Sequence, residues 1–134
     1  SGKIFSLDLQ KMDKIKNVTF LQCNFLEEKV KEQILIFFDK NLDVIISDMA
    51  ANTTGNKSLD CIRTNQLCAD VIHFSSKILK SNGVLVSKLF MGEDFLEVKE
   101  LAKSKFKKVQ FFKPEASRNE SKETYLHCSL LKTL

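Results

Sequence analysis

Glycine is scarce in this chain: there are four in 134 residues, and nowhere do two of them form a G-x-G. A complete glycine-rich phosphate loop is therefore not among these residues, because such a loop needs glycines for its tight turn and for close backbone approach. Proline occurs once, at Pro114. The four cysteines, Cys23, Cys61, Cys68 and Cys128, make no C-x-x-C pair and no zinc spacing, which argues against a metal knuckle or a redox dithiol. They read as reduced thiols of a cytosolic-type compartment, with Cys61 and Cys68 on one helix face as small packing groups. His73 and His127 sit in apolar elements without a partner motif, and both are expected to be packed. No apolar run approaches the roughly 18–20 residues that span a membrane. The sequence opens Ser1-Gly2-Lys3, with no initiator methionine and no signal or transit leader, so Ser1 is not expected to be the natural start of translation.

What is present is the composition of a folded domain, 43% hydrophobic and 28% charged. Residues 1–134 are expected to belong to a single domain with one sheet and its helices. Lysine and arginine exceed the acids by 21 to 17, and the excess gathers at Lys99, Lys103, Lys105, Lys107, Lys108 and Lys113. That face either meets phosphate or is simply solvated.

Hydrophobic periodicity alternates between strand and helix. Ile4 to Leu7 reads as a strand closed by Asp8, and Val18 to Gln22 as a strand closed by Cys23 and Asn24. An amphipathic helix from Glu27 to Phe38 carries Val30, Ile34, Leu35 and Phe38 on one face. Asp43 to Ser47 reads as a buried parallel strand that delivers Asp48 to its carboxyl end, before a turn over Asn52 to Gly55. A long helix from Leu59 to Leu79 then presents Leu67, Val71, Phe74 and Ile78 on one face. Ser81-Asn82-Gly83 is expected to stop it in a left-handed cap. Val84 to Phe90 is the next strand, Gly92 to about Lys103 a helix, Val109 to Phe112 a strand, and Thr124 to Leu130 a final strand after an irregular loop that begins at Pro114. The class is α/β, a doubly wound parallel sheet that the late strands close in antiparallel fashion.

Right-handed crossovers put the carboxyl ends of parallel strands on one edge, where ligands bind. Asp8, Asn24, Asp48 and the region after the Val84 strand are expected there. Asp48 is either a site residue or a cap for the turn that follows. Lys88 is the odd member of its strand, a cation among apolar neighbours, and must reach solvent, pair with a carboxylate or hold its proton less tightly. Asp48 and Glu123 are the acids the fold could bring to it. The three form either a general-base site or a buried ion network.

The segments Leu7-Asp8-Leu9, Phe20-Leu21-Gln22-Cys23-Asn24-Phe25, Ser47-Asp48-Met49-Ala50-Ala51-Asn52, Val86-Ser87-Lys88-Leu89-Phe90-Met91-Gly92-Glu93, Lys113-Pro114-Glu115-Ala116-Ser117-Arg118 and Ser121-Lys122-Glu123-Thr124-Tyr125 resemble the FtsJ/RrmJ family of ribosomal RNA 2′-O-methyltransferases. They follow the family's order along nearly the whole chain. The resemblance implies a Rossmann-like methyltransferase sheet, S-adenosyl-L-methionine as cofactor, and a ribose 2′-hydroxyl of ribosomal RNA or the large ribosomal subunit as substrate. Of the family's Lys-Asp-Lys-Glu tetrad, the last three members match Asp48, Lys88 and Glu123. It implies Lys88 as the base, Asp48 as its orienting group and a cofactor contact, Glu123 as support for the lysine and ribose, Asp8 on the cofactor ribose and Asn24 at its adenine. A monomer in the cytoplasm, or in an organelle such as the mitochondrion, is expected, with no metal.

The chain departs from the family at three points. Asn24 stands where an aspartate is usual, and Ala51 where a proline is. The tetrad's first lysine, the glycine-rich loop and the first, central strand are expected upstream of Ser1. Without that strand, free edges are expected beside the Asp8 and Asp48 strands. Rival implications are an inactive methyltransferase-like RNA-binding scaffold, a 2′-O-methyltransferase of transfer RNA or the mRNA cap, and a nicotinamide-dependent oxidoreductase, which gives no role to Lys88 or Glu123.

Overall fold

A computed structural model describes residues 2–39, 42–51, 54–113 and 123–132. The chain divides into two compact units, Ser1–Lys40 and Asn41–Leu134. In the first, β1 (Ile4–Asp8) pairs in parallel with β2 (Val18–Gln22), with Asp8 opposite Gln22. Between them the chain turns at Asn17, whose φ of 68° is left-handed, a conformation that asparagine tolerates. The helix α1 (Glu28–Phe38) buries Val30 and Ile34 as its 3.6-residue pattern requires. Asp39 ends it in a left-handed conformation (φ 51°) and donates its N–H to the Ile36 carbonyl. Phe5 packs edge-on to Phe37 at 5.1 Å, tying β1 to the end of α1.

The second unit is a four-stranded sheet in the order β3-β4-β6-β5, made of β3 (Leu42–Ser47), β4 (Leu79–Phe90), β5 (Phe106–Phe112) and β6 (Glu123–Leu131). β3 runs parallel to β4, and β6 lies antiparallel between β4 and β5, the expected late closure. The helices α2 (Lys57–Ile78) and α3 (Phe95–Lys105) cover one face. Under them lie Leu85 and Leu89 of β4, Leu126 and Cys128 of β6 and Phe106 of β5, at most 1% exposed. Val71, Phe74 and Ile78 meet them from α2, as their spacing predicts. Burial pushes the Cys68 thiol up to about 11 and that of Cys128 to about 12, so both are protonated packing groups. No helix among the described residues is long and apolar enough to cross a membrane.

Three expectations are corrected here. β3 is not a buried strand, since Val44 is 51% and Ile46 75% exposed; among the described residues it has one ladder partner, β4. Ser81-Asn82-Gly83 is not a left-handed helix stop. The helix ends at Ile78 and the chain passes directly into β4, with no positive φ at Gly83. Gly83 is needed instead for close approach, because a Cβ there would lie 2.9 Å from Leu79 Cδ2 and 3.1 Å from the Asp43 carbonyl oxygen. His73 is exposed rather than packed, whereas the half-buried His127 has its Nδ1 shielded from solvent. Asn52, Pro114, Ser117, Arg118, Asn119, Ser121 and Lys122 lie outside the described residues.

A polar knot joins the helices to the end of β4. Asn65, fully buried on α2, accepts from Phe90 N at 2.8 Å and donates to the Phe90 carbonyl at 2.9 Å and to Asp94 Oδ1 at 2.8 Å. It completes the backbone of the residue two beyond Lys88. Asn65→Ala leaves those groups without that partner and is expected to cost about 2–4 kcal/mol. Urea unfolding checks it: the midpoint falls with an unchanged slope, and an unmoved midpoint contradicts the role.

Candidate active site

Strand alternation decides which side chains share the sheet's open face. On β4, Leu85, Ser87 and Leu89 point under the helices, which turns Val84, Val86 and Lys88 to the opposite side. Lys88 pairs in register with Tyr125, and Phe90 with Glu123, so Glu123 and Tyr125 face the same way. Asp48 follows Ser47, which is paired with Ser87, and so stands one step along beside Lys88. The loop that carries Asp48 is fastened to α2 by the Ala51 N–H, which donates to the Thr64 hydroxyl at 3.0 Å. A proline at position 51 would have no N–H to give.

The charged groups meet at the carboxyl end of β4. Lys88 Nζ lies 3.1 Å from Asp48 Oδ1 and 3.8 Å from Glu123 Oε2. Its side chain is 14% exposed, against 67% for Asp48 and 29% for Glu123. The strand thus hides the lysine stem and opens its head toward two carboxylates.

Tyr125 completes the cluster, and the sequence reading gave it no role. Its hydroxyl donates to Asp48 Oδ1 at 2.6 Å and lies 3.4 Å from Glu123 Oε1. The signal was available: Tyr125 is two residues from Glu123 on a strand and hence on the same face. Desolvation alone would raise the Asp48 carboxyl, but the hydrogen bonds from Tyr125 and Lys88, with the lysine charge, outweigh it and hold the group below its ordinary range. The same hydrogen bond to Asp48, then desolvation and the nearby negative charges, pushes the Tyr125 phenol well above its usual value.

Asp8 and Asn24 belong to the first unit. They follow from two paired parallel strands, and the Cys23 N–H donates to the Asp8 carbonyl at 2.9 Å. Asp8 Oδ1 accepts from Gln10 N at 3.0 Å, and Asn24 Oδ1 from Leu26 N at 3.0 Å. These short turns fix both side chains and leave each with further lone pairs, an acceptor set that suits hydroxyl donors such as those of a ribose at Asp8 and an amino group at Asn24. No group of three or more His, Cys, Asp or Glu able to hold a metal ion occurs among the described residues.

Tyr125 is the sole tyrosine, and the chain has no tryptophan, so phenolate absorbance reports this site alone. Its raised value means that the Tyr125–Asp48 link stabilises the fold below pH about 10, the ordinary phenol value, and loses that contribution as pH rises through the shifted one. Asp48 gives the opposite limb: its contribution is present above pH about 4 and is lost as pH falls through its lowered value. In an absorbance titration Tyr125 is expected to stay protonated at pH 10, and Asp48→Asn to bring it back toward an ordinary phenol. Half-ionisation of the unaltered chain at pH 10 contradicts the link.

The chain is 41% identical over 132 residues to the ribosomal RNA large subunit methyltransferase E of Pelagibacter ubique, covering 98% of this chain and 65% of that protein. It spans 56–65% of the length of the first curated relatives it matches. A Plasmodium falciparum structure described as a ribosomal RNA methyltransferase superposes with a TM-score of 0.82 at 28% identity, over 96% of this chain and 72% of that one. A Streptococcus mutans structure described as a methyltransferase, solved in complex with SAH, shares the fold at 16% identity, with a TM-score of 0.51 over 93% of this chain and 69% of that one. Such neighbours have the Rossmann-like fold of S-adenosylmethionine-dependent methyltransferases. The profile of the FtsJ-like methyltransferases matches residues 1–130, and the chain belongs to that family.

Proposed function

We propose that this chain is the greater part of a methyltransferase domain that transfers a methyl group from S-adenosylmethionine to a ribose 2′-hydroxyl of large-subunit ribosomal RNA. The observation that carries the reading is the Lys88 side-chain nitrogen, held 3.1 Å from Asp48 on the open face of the sheet with Glu123 on its other side. The names of the relatives, ribosomal RNA large subunit methyltransferase E, support the RNA substrate.

S-adenosylmethionine supplies a methyl group activated on a sulfonium. The attacking hydroxyl must shed its proton as the oxygen bonds to the methyl carbon and the carbon–sulfur bond breaks to leave the neutral thioether, and Lys88 Nζ, in its neutral form, receives that proton. The positive charge that then develops on Nζ falls between Asp48 and Glu123, already placed to stabilise it. Tyr125 donates to Asp48 Oδ1, the same oxygen that faces Lys88 Nζ, and so holds that oxygen in place against the lysine. Asp8 accepts hydrogen bonds from the cofactor ribose, and Asn24 accepts from the adenine amino group. Asn24 does so without the charge assistance that an aspartate gives.

Lys88→Ala is expected to lower the methyl-transfer rate by about 10²–10⁴-fold, the usual share of a general base. Cofactor affinity should stay within about twofold, since Lys88 is assigned to the proton and not to the cofactor. Filter-binding of transferred label and calorimetry separate the two, and near-normal turnover by the variant refutes the base. Asn24→Asp is expected to tighten cofactor binding by about fivefold, the difference between a neutral and a charge-assisted hydrogen bond. Calorimetry showing unchanged affinity removes Asn24 from the adenine site.

A further inference from the structure

The open face does not end at the charged cluster. Next to Tyr125, in register on β5, stands Phe112. The two rings stack with centroids 5.9 Å apart and an interplanar angle of 24°, yet Phe112 is still 47% exposed. A large aromatic side chain left half in water, one ring away from the hydroxyl that holds Asp48, is not accounted for by folding. Its neighbour Phe111 turns the other way, packed against Phe95 at 4.9 Å with Lys99 above it at 6.0 Å.

Charge follows the same edge. An open groove of about 680 Å³ runs beside β5, lined by Lys99, Lys103, Gln110, Phe112 and His127 among others, with no acidic residue among the described residues of its lining. On the open face Lys108 stands opposite Ser129, farther along β5 from Phe112, and is exposed. Basic side chains beside an exposed aromatic ring are the combination that holds single-stranded nucleic acid: ammonium groups follow the backbone phosphates, and a base lies on the ring.

We propose that Phe112 is a substrate-binding residue, the ring on which a nucleobase of the RNA stacks next to the ribose offered to Lys88, with the phosphates led along the groove by Lys99 and Lys103. This rests on the methyltransferase reading given above and adds to it a subsite for the base. Stacking on Phe112 lengthens the Tyr125–Phe112 stack by one member. That places the base through the same tyrosine that places Asp48. The ring has no hydrogen-bonding group, so the subsite prefers any base over none and selects no particular base.

The test uses the full-length protein and RNA substrate, with Phe112→Ala, Phe112→Leu and Phe112→Tyr. The alanine and leucine variants are expected to raise the KM for RNA by about tenfold or more, in the range that removal of a stacking ring produces. kcat and cofactor affinity should change little, and Phe112→Tyr should restore the KM. Leucine keeps the apolar volume and loses only the aromatic face, so a wild-type KM in Phe112→Leu overturns the proposal. A second readout is independent of turnover. The described chain has no tryptophan, so Phe112→Trp places an indole at the subsite. Single-stranded RNA should quench its fluorescence saturably. If the wild-type protein methylates no RNA while this quenching occurs, the catalytic reading fails and the base subsite stands. If methylation proceeds and the indole is not quenched, the subsite fails alone.

Discussion

A lysine on a strand between apolar neighbours has to be paired, and the contact of Lys88 with Asp48 is the interaction on which the site depends. The strand cannot bury an ammonium without compensation. β4 answers this by placing Lys88 at its carboxyl end, where the head reaches Asp48 and Glu123 while the stem is covered. An ion pair placed there for stability alone would bring little, because a largely exposed carboxylate contributes weakly. Placed at the mouth of a parallel pair of strands, it costs the fold little and holds the lysine nitrogen at the open face between two carboxylates.

Several elements serve that placement. Thr64 anchors the loop after Asp48, Asn65 closes the backbone at Phe90, and Gly83 lets β4 pass close to β3. All three act from the helix side or from the start of the strand, away from the open face. Tyr125 acts on the open face itself, where its hydroxyl holds the same Asp48 oxygen that the lysine meets. Phe112 stands behind it. The site is therefore a layered arrangement in which the covered face fixes the backbone and the open face carries the charged cluster.

Much of this was legible in the residues. The alternation of Val84 to Phe90, the spacing of Val71, Phe74 and Ile78 and the late antiparallel strand all follow from periodicities that local sequence reports directly. The oddness of Lys88 pointed to a carboxylate partner, and the structure brings Asp48 and Glu123 to it. Asn65 was not legible, because a polar residue inside an amphipathic helix reads as solvent-facing until the neighbouring strand end is known. Gly83 misled for a related reason: a glycine after a helix signals a left-handed cap, whereas here the demand on it is steric, from Leu79 and Lys80 of its own strand and from Asp43 of the strand that adjoins in three dimensions. The exposure of Val44 and Ile46 was hidden too, since an apolar run does not say which of its faces has a neighbour. Tyr125 was in view, two residues from Glu123, but its partner Asp48 lies 77 positions away, beyond any local pattern.

The central claim is that Lys88 serves attack by a ribose oxygen, and the position of the transferred methyl group tests it most directly. RNA methylated by the full-length protein with labelled S-adenosylmethionine can be hydrolysed in alkali, which cleaves only where a free 2′-hydroxyl is present. The account predicts that the label is recovered in an alkali-resistant dinucleotide and, after enzymatic digestion, as a 2′-O-methyl nucleoside. Label recovered on a base carbon or nitrogen would contradict it.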